Sequence, residues 1–298
     1  MSEVVLITGA ATGIGRLTAE ALARGGYTVY ASMRDVNGRN KHHGDTLTAL
    51  AAAEGLRLEI VELDILSDTS VATAIEMIIG QEGRIDILIH NAGHLVMGPT
   101  EAFSPEEIAG NYAVNVIGAH RVNRTVLPYM RAREHGTLLW ISSTTVHGGF
   151  PPFLGPYAAA KSAMDSLAGS LALEVSRFGI ETVMVSPGAF TAGTEHFPKA
   201  SHPADHERTA AYARYDDVTG SIGDRLSALM PAEAHPQVVA DEVLRILNLD
   251  HGTRPFRTVV DLLGDGAEEV AEVAGKVRTA FFGRIALDDL LIPAAKHE

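Results

Sequence analysis

Val4-Val5-Leu6-Ile7-Thr8-Gly9-Ala10-Ala11-Thr12-Gly13-Ile14-Gly15 opens the chain with an apolar, β-branched run that stops at a glycine-rich turn. Beyond it, apolar residues recur with a helical period as far as Arg24, so the segment reads as strand, turn, helix. Glycines let a backbone turn sharply and approach an anion with no Cβ in the way. The following helix offers unpaired N–H groups and a positive dipole end to the same anion. In the first turn of a βαβ unit this makes Gly9, Thr12, Gly13, Ile14 and Gly15 candidates for cradling a pyrophosphate. The spacing is GxxxGxG rather than GxGxxG, and a plain tight turn would use the same residues.

The alternation continues for two-thirds of the chain. Strands are expected at Val4–Thr8, Thr28–Ser32, Arg57–Glu62, Ile85–His90, Thr137–Ser142 and Glu181–Ser186, with helices at Ile14–Arg24, Thr46–Glu54, Ser67–Gly80, Pro105–Arg133 and Pro156–Phe178. Apolar strands alternating with amphipathic helices predict an α/β fold, a doubly wound parallel sheet with helices on both faces. The polar, glycine-punctuated stretch Val36–Asp45 reads as a surface loop. From Phe190 to about Pro236 the pattern turns irregular, with a helical stretch near Ala210–Leu229, which predicts a substrate flap at about 190–235. A helix at Pro236–Asn248, a strand at Phe256–Val260 and a helix at Ala267–Phe281 follow, the last in a C-terminal extension at about 266–298. No linker separates two cores, so residues 1–298 read as a single domain.

Bulk composition narrows the function. With 46% hydrophobic and 20% charged residues the chain is globular rather than disordered. The formal net charge of −13 opposes nucleic-acid binding, which needs a basic face. No apolar run approaches the roughly 18 residues of a membrane span. With no basic leader before Val4, cytoplasm is the default location. The absence of cysteine excludes disulfides, thiolate nucleophiles and cysteine-based metal sites. His202 and His206 share a helix face, but a surface flap is a poor setting for a metal, and none is expected.

Nucleotide choice is read at the strand ends. Arg34, after the second strand, stands where an acidic residue would bind a ribose hydroxyl, and it can pair with the 2′-phosphate of NADP instead; solvation or pairing with Asp35 is the alternative. Thr12 adds a hydroxyl. Asp64, in Leu63-Asp64-Ile65, can accept from an adenine amino group or cap the next helix. Asn91-Ala92-Gly93 can run beside the adenosine ribose or form a simple β-to-α turn. Tyr157 and Lys161 lie one helical turn apart, so phenol and ammonium share a face. A cation beside a phenol lowers its pKa from roughly 10, making it a proton donor or acceptor near neutral pH.

Together these motifs resemble the short-chain dehydrogenases/reductases over roughly residues 3–265, in Thr8–Gly15, Asp64, Asn91-Ala92-Gly93, Asn115, Ser142-Ser143, Tyr157 with Lys161, and Pro187-Gly188. Gly98-Pro99-Thr100-Glu101, Leu127-Pro128-Tyr129-Met130 and Arg254-Pro255-Phe256-Arg257 are similar to the hydroxysteroid- and retinol-dehydrogenase-like branch. The resemblance implies a Rossmann-type fold with a seven-stranded sheet and a catalytic tetrad of Asn115, Ser143, Tyr157 and Lys161. It implies cofactor contacts from Gly9, Thr12, Gly13, Ile14, Gly15, Arg34, Asp64, Ile65, Asn91, Ala92, Gly93, Tyr157, Lys161, Pro187 and Gly188, with NADP(H) preferred over NAD(H). It also implies a homodimer or homotetramer formed through helices such as Pro105–Arg133 and Pro156–Phe178.

Three places depart from the family pattern. The segment from Ser143 to Tyr157 carries one extra residue, the loop at Val36–Asp45 is long, and Ala192 stands where a threonine would bind the carboxamide. Thr191, beside it, takes that role in this reading. Leu95, Val96, Met97, Phe150, Pro151, Phe153, Phe190 and Phe197 would make an apolar pocket, with His147 at its margin. The expected function is an NADP(H)-dependent oxidoreductase that interconverts a small hydrophobic secondary alcohol and its ketone, or an aldehyde pair, with Tyr157 as general acid/base. The rivals are a catalytically silent NADP-binding sensor or scaffold, and a dehydratase or epimerase.

Overall fold

Seven strands carry the architecture: β1 (Val4–Ile7), β2 (Thr28–Met33), β3 (Leu58–Glu62), β4 (Ile87–His90), β5 (Gly136–Ile141), β6 (Ile180–Pro187) and β7 (Arg257–Val260). The computed structural model describes residues 2–149, 151–231 and 234–295, so Phe150 lies outside the described residues. The strands form one parallel sheet in the order β3-β2-β1-β4-β5-β6-β7. Between them run α1 (Gly13–Arg24), α2 (Lys41–Glu54), α3 (Asp68–Glu82), α4 (Pro105–Tyr112), α5 (Gly118–Arg133) and α6 (Gly155–Val175). The short α7 (His206–Ala210), α8 (Asp216–Thr219) and α9 (Ile222–Leu229) follow, then α10 (Gln237–Leu247) and, after β7, α11 (Ala267–Arg284).

Strand side chains alternate between two cores because successive residues face opposite sides of a sheet. Val5, Ile7 and Val29 pack with Leu22 of α1 and Val239 and Val243 of α10. Val4, Leu6 and Leu88 pack with Val71 and Ile75 of α3, Val122 and Val126 of α5, and Met164 of α6. This is the doubly wound α/β fold expected from the alternation. Chain direction reverses outward from β1 and β4, which makes their C-terminal ends the crevice where such sheets bind ligands.

Three elements differ from expectation. The loop at Val36–Asp45 ends early, because α2 begins at Lys41. Asp35, at φ 52°, organises that start: its carboxylate accepts from Arg39 N, and a Lys41–Asp45 ion pair spans the first turn. Glycine density there signals a turn, but this local network closes it within five residues. The helix expected over Pro105–Arg133 is interrupted by a π-helical turn at Ala113–Ile117. The stretch near Ala210–Leu229 is broken into a single turn at Ala213–Tyr215 and the short helices α8 and α9, since Gly220, Gly223 and the Tyr215-Asp216 junction interrupt any continuous apolar stripe.

His90, at the end of β4, is buried against Trp140 with ring centroids 4.1 Å apart, and its Nε2 lies 2.7 Å from Asn123 Oδ1. Burial pushes this imidazole down from 6.5 to about 4, the Asn123 contact opposing. The unfolded chain therefore takes up a proton that the folded chain refuses. Stability from this group is complete above pH 6.5 and is lost as pH falls towards 4, by roughly 3 kcal/mol at the limit. Urea unfolding should show wild type losing more stability across that window than His90→Gln; parallel curves would contradict the assignment.

Candidate active site

Every loop that leaves the C-terminal edge of β1 to β6 reaches one cavity of about 1000 Å³. Its walls include Gly9, Thr12, Gly13, Ile14, Arg34, Asp64, Ile65, Asn91, Ala92, Gly93, Ser143, Tyr157, Lys161, Pro187 and Gly188. Parallel pairing puts these widely separated positions side by side, because each is the first irregular segment after its own strand or the helix that follows.

The glycine turn is shaped by its neighbour. A Cβ on Gly15 would lie 2.2 Å from Asn91 Nδ2, and one on Gly9, at φ +68°, would lie 2.8 Å from Ala92 Cα. Asn91 Nδ2 occupies that space by donating to the carbonyls of Thr8 and Gly9, both at 2.9 Å. Gly15 is thus behind the wall, making room for Asn91. Thr12 stands at the N-cap of α1 without capping it, which leaves its hydroxyl free to meet a ligand. Asp64 Oδ1 accepts from Leu66 N, whereas the capping of α3 is done by Ser67, whose hydroxyl accepts from Ser70 N. Arg34 forms no ion pair among the described residues; the Asp35 carboxylate is engaged by Arg39 N.

Asn115 sits in the π turn, buried, and is not part of the cavity wall. Its Nδ2 donates to His94 O at 3.0 Å and Asn111 O at 3.1 Å, and its Oδ1 accepts from His94 N at 3.1 Å. The widened turn frees the amide to clamp the segment that carries Gly93, and π turns of this kind recur at functional sites. Lys161 is buried in α6 and donates to Ile141 O at 2.9 Å. Burial pushes its ammonium down to about 8, with Asp165 opposing.

Tyr157 needs a correction. Its phenol stands well above the ordinary 10 because it is buried, and the Ser143 hydroxyl offsets only part of that. No lowering by Lys161, whose ammonium donates to Ile141 O, offsets that burial. The phenol is therefore held protonated. Ser143, also buried, accepts from the Thr145 hydroxyl at 2.9 Å.

Sequence reasoning missed several residues of this site. His196, from the irregular segment after β6, places Nε2 3.3 Å from the Tyr157 hydroxyl. Burial, then the charges of Lys161 and His94, push His196 down to about 4, so it is neutral at pH 7. Asp165, one turn beyond Lys161, accepts from Ser142 Oγ at 2.8 Å and takes a two-pronged ion pair from Arg257, both contacts at 2.7 Å. The i+4 spacing from Lys161 is the one signal that could have found it. Arg39 lines the cavity with Arg34, and Lys199 joins them from the irregular segment after β6.

Other expectations fall away from the cavity wall. Thr191 is not part of it and pairs with Ser227 at 2.6 Å, whereas Thr194 is. Leu95, Pro151, Phe190 and Phe197 line the cavity, joined by Leu154 and Leu226; Val96, Met97, Phe153 and His147 do not. Val96 packs instead in a small cluster with Leu95, Phe103, Leu154 and Tyr157. His202 Nδ1 donates to Met97 O, 2.9 Å away.

The family model described as short chain dehydrogenase matches residues 3–203. Retinol dehydrogenase 8 of Homo sapiens is 37% identical over 262 residues, covering 85% of this chain and 79% of that protein. The 3-ketodihydrosphingosine reductase of Bacteroides thetaiotaomicron is 34% identical over 192 residues. That match takes in 64% of this chain and spans 65% of the reductase, just under two thirds of its length. Among solved structures, an actinorhodin polyketide ketoreductase variant with NADPH superposes with a TM-score of 0.71 at 25% identity, covering 89% of this chain and 97% of that one. Matched by the family model over more than half of its length, and carrying that pattern on a seven-stranded parallel sheet, the chain belongs to the short-chain dehydrogenase family of oxidoreductases.

Proposed function

We propose that the chain is an NADP(H)-dependent oxidoreductase that interconverts a hydrophobic secondary alcohol and its ketone, or an aldehyde pair. One observation carries this reading: Ser143, Tyr157 and Lys161 share a single cavity with the glycine turn and with Arg34 and Arg39. The turn fits a pyrophosphate because Gly9 and Gly13, both at positive φ, bring bare backbone to the cavity wall beside the uncommitted Thr12 hydroxyl. When bound, the nicotinamide would supply or accept the hydride.

The chain's own residues manage the oxygen and its proton. In the reducing direction the Tyr157 hydroxyl donates to the substrate oxygen as negative charge builds there. The Ser143 hydroxyl hydrogen-bonds the same oxygen and stabilises that charge. Lys161 contributes a buried cation behind Tyr157, one that favours phenolate once the proton has left. Asn115 acts at one remove, holding the Asn91–His94 segment in place. Asp165, fixed by Arg257, opposes the loss of charge at Lys161. Leu95, Leu154, Phe190 and Phe197 make the substrate end apolar, and the names of the retinol dehydrogenase and 3-ketodihydrosphingosine reductase relatives fit that class. Residues 190–235 serve as its flap, in one domain with the rest of the chain.

The test is an assay of NADPH and NADH consumption against aryl ketones, steroids, retinoids and long-chain 3-keto compounds. Turnover with at least one apolar carbonyl, faster with NADPH, is expected. Tight NADPH binding with no turnover across the panel would instead favour a silent cofactor binder.

A further inference from the structure

Each reduction consumes one solvent proton, which Tyr157 hands on from its own hydroxyl. The phenolate left behind must be reprotonated before the next cycle, although its ring is buried. Asn115 and Lys161 are engaged elsewhere. Asn115 Nδ2 donates to His94 O, Asn111 O and Asn111 Oδ1, and Oδ1 accepts from His94 N, so the amide has no hydrogen left to hold a water. Lys161 donates to Ile141 O from a buried position. A neutral imidazole suits the task, because it can release a proton at one nitrogen while taking one at the other.

His196 is such a group. Its Nε2 lies 3.3 Å from the Tyr157 hydroxyl, and the two rings meet edge to face with centroids 5.5 Å apart. Among the described residues it is the one titratable side chain hydrogen-bonded to that hydroxyl. Burial, reinforced by the charges of Lys161 and His94, keeps the ring neutral at pH 7. Nδ1 has no partner among the described residues and is not sealed from solvent, so water of the cavity reaches it. The segment is held on both sides. Thr194 Oγ1 donates to Phe190 O at 3.3 Å, Ser201 N donates to Leu95 O at 3.0 Å, and Ser201 Oγ lies 2.7 Å from His94 Nε2. Packing against Phe197, with ring centroids 6.1 Å apart, is the rival reason for a ring at this position.

We propose that His196 is a further catalytic residue, the relay that returns a solvent proton to Tyr157; this rests on the oxidoreductase reading. While a substrate oxygen occupies the Tyr157 hydroxyl, His196 stands aside. When the product alcohol leaves, the Nε2–H bond breaks and its proton passes to the phenolate oxygen. The Nδ1 lone pair takes a proton from cavity water in exchange with bulk. The ring stays neutral as the other tautomer and resets by exchange with water in the next cycle. No electrons change hands in this step, and one solvent proton enters per carbonyl reduced. In the oxidising direction the same path carries the proton outward.

Stopped-flow oxidation of NADPH, with a carbonyl that the wild type turns over, tests it. His196→Ala should complete its first turnover at the wild-type rate, because Tyr157 starts protonated, and then slow by roughly 10²-fold, leaving a burst of one NADPH per chain. Imidazole should restore the later turnovers. N-methylimidazole, similar in shape but with one nitrogen blocked, should not. A residue that only fills space would instead slow the first turnover as much as the rest and be rescued by both. Nitrogen NMR of the cofactor-free chain, labelled at histidine, reads the contact without any turnover: Tyr157→Phe should move the His196 ring resonances. Absence of a burst, equal rescue by both imidazoles, or unmoved resonances would overturn the proposal. A wild type silent on every carbonyl sinks the oxidoreductase reading and the relay with it, whereas an active wild type matched throughout by His196→Ala sinks the relay alone.

Discussion

Tyr157→Phe is expected to lower turnover by roughly 10²–10⁴-fold while leaving NADPH affinity within about twofold of wild type. The substitution removes one oxygen and keeps the ring, so the cluster with Leu95, Val96, Phe103 and Leu154 survives. What is lost is the only hydroxyl on α6 that can hand a proton to a substrate oxygen beside Ser143. The raised phenol is consistent with that role. A group buried and held protonated is loaded for donation, and the driving force comes from the more basic oxygen formed as hydride arrives. Loss of Lys161 charge, which sets in near pH 8 in the unliganded chain, would remove the cation that favours phenolate. The oxidising direction needs the phenolate beside that cation, so its rate should rise with pH up to that point and level off above it. His196 sharpens the expectation, because its neutral ring touches the same hydroxyl and must yield to a substrate oxygen. Steady-state rates and a fluorescence titration of NADPH decide the matter: near-wild-type turnover in Tyr157→Phe would remove this residue from the chemistry.

Much of this site could be read before any fold was known, for a physical reason. Gly9, Asp64, Asn91, Ser143 and Pro187 each follow an apolar strand run, and a parallel sheet brings all strand ends to one edge. Strand ends alone placed Gly9, Asp64 and Asn91 there, whereas Ser143 and Pro187 came from the family resemblance. Glycines at positions 9 and 15 signalled a close approach, and that approach is to the Asn91-Ala92 backbone and side chain as much as to any ligand. Asn115 was legible as a candidate, but its π turn was not, because the apolar period runs unbroken from α4 into α5. His196 was invisible for the opposite reason. It lies in a segment with no period, and only tertiary packing aims it at Tyr157. The early start of α2 depends on an Asp35 side chain accepting from a backbone N–H four residues on, a contact that composition cannot reveal. The pKa of Tyr157 was misjudged because spacing reports which groups share a face, whereas burial decides which charge state is stable.

The second large effect is expected at Arg34. Arg34→Ala should weaken NADPH by roughly 10- to 150-fold, the equivalent of about 1.5–3 kcal/mol for a charge-assisted bond to phosphate, and leave NADH nearly unchanged. Three features support a phosphate-binding role over a structural one. Arg34 lines the cavity beyond the end of β2, it forms no ion pair among the described residues, and its acidic neighbour Asp35 is committed to the turn that starts α2. The Arg34 carbonyl is also fixed, accepting from Asn40 Nδ2, so the backbone position does not depend on the guanidinium and should survive the substitution. Arg39 lines the same end of the cavity and should retain part of the affinity. Arg34→Ala with Arg39→Ala should therefore lose more than Arg34→Ala alone, and bring the two cofactors towards equal binding. The measurement is a pair of titrations, NADPH and NADH, at fixed ionic strength, because a surface phosphate contact is screened by salt. Equal losses for both cofactors would place Arg34 in general groove electrostatics, and the basis for preferring NADP would have to be sought at Thr12 and Lys199 instead.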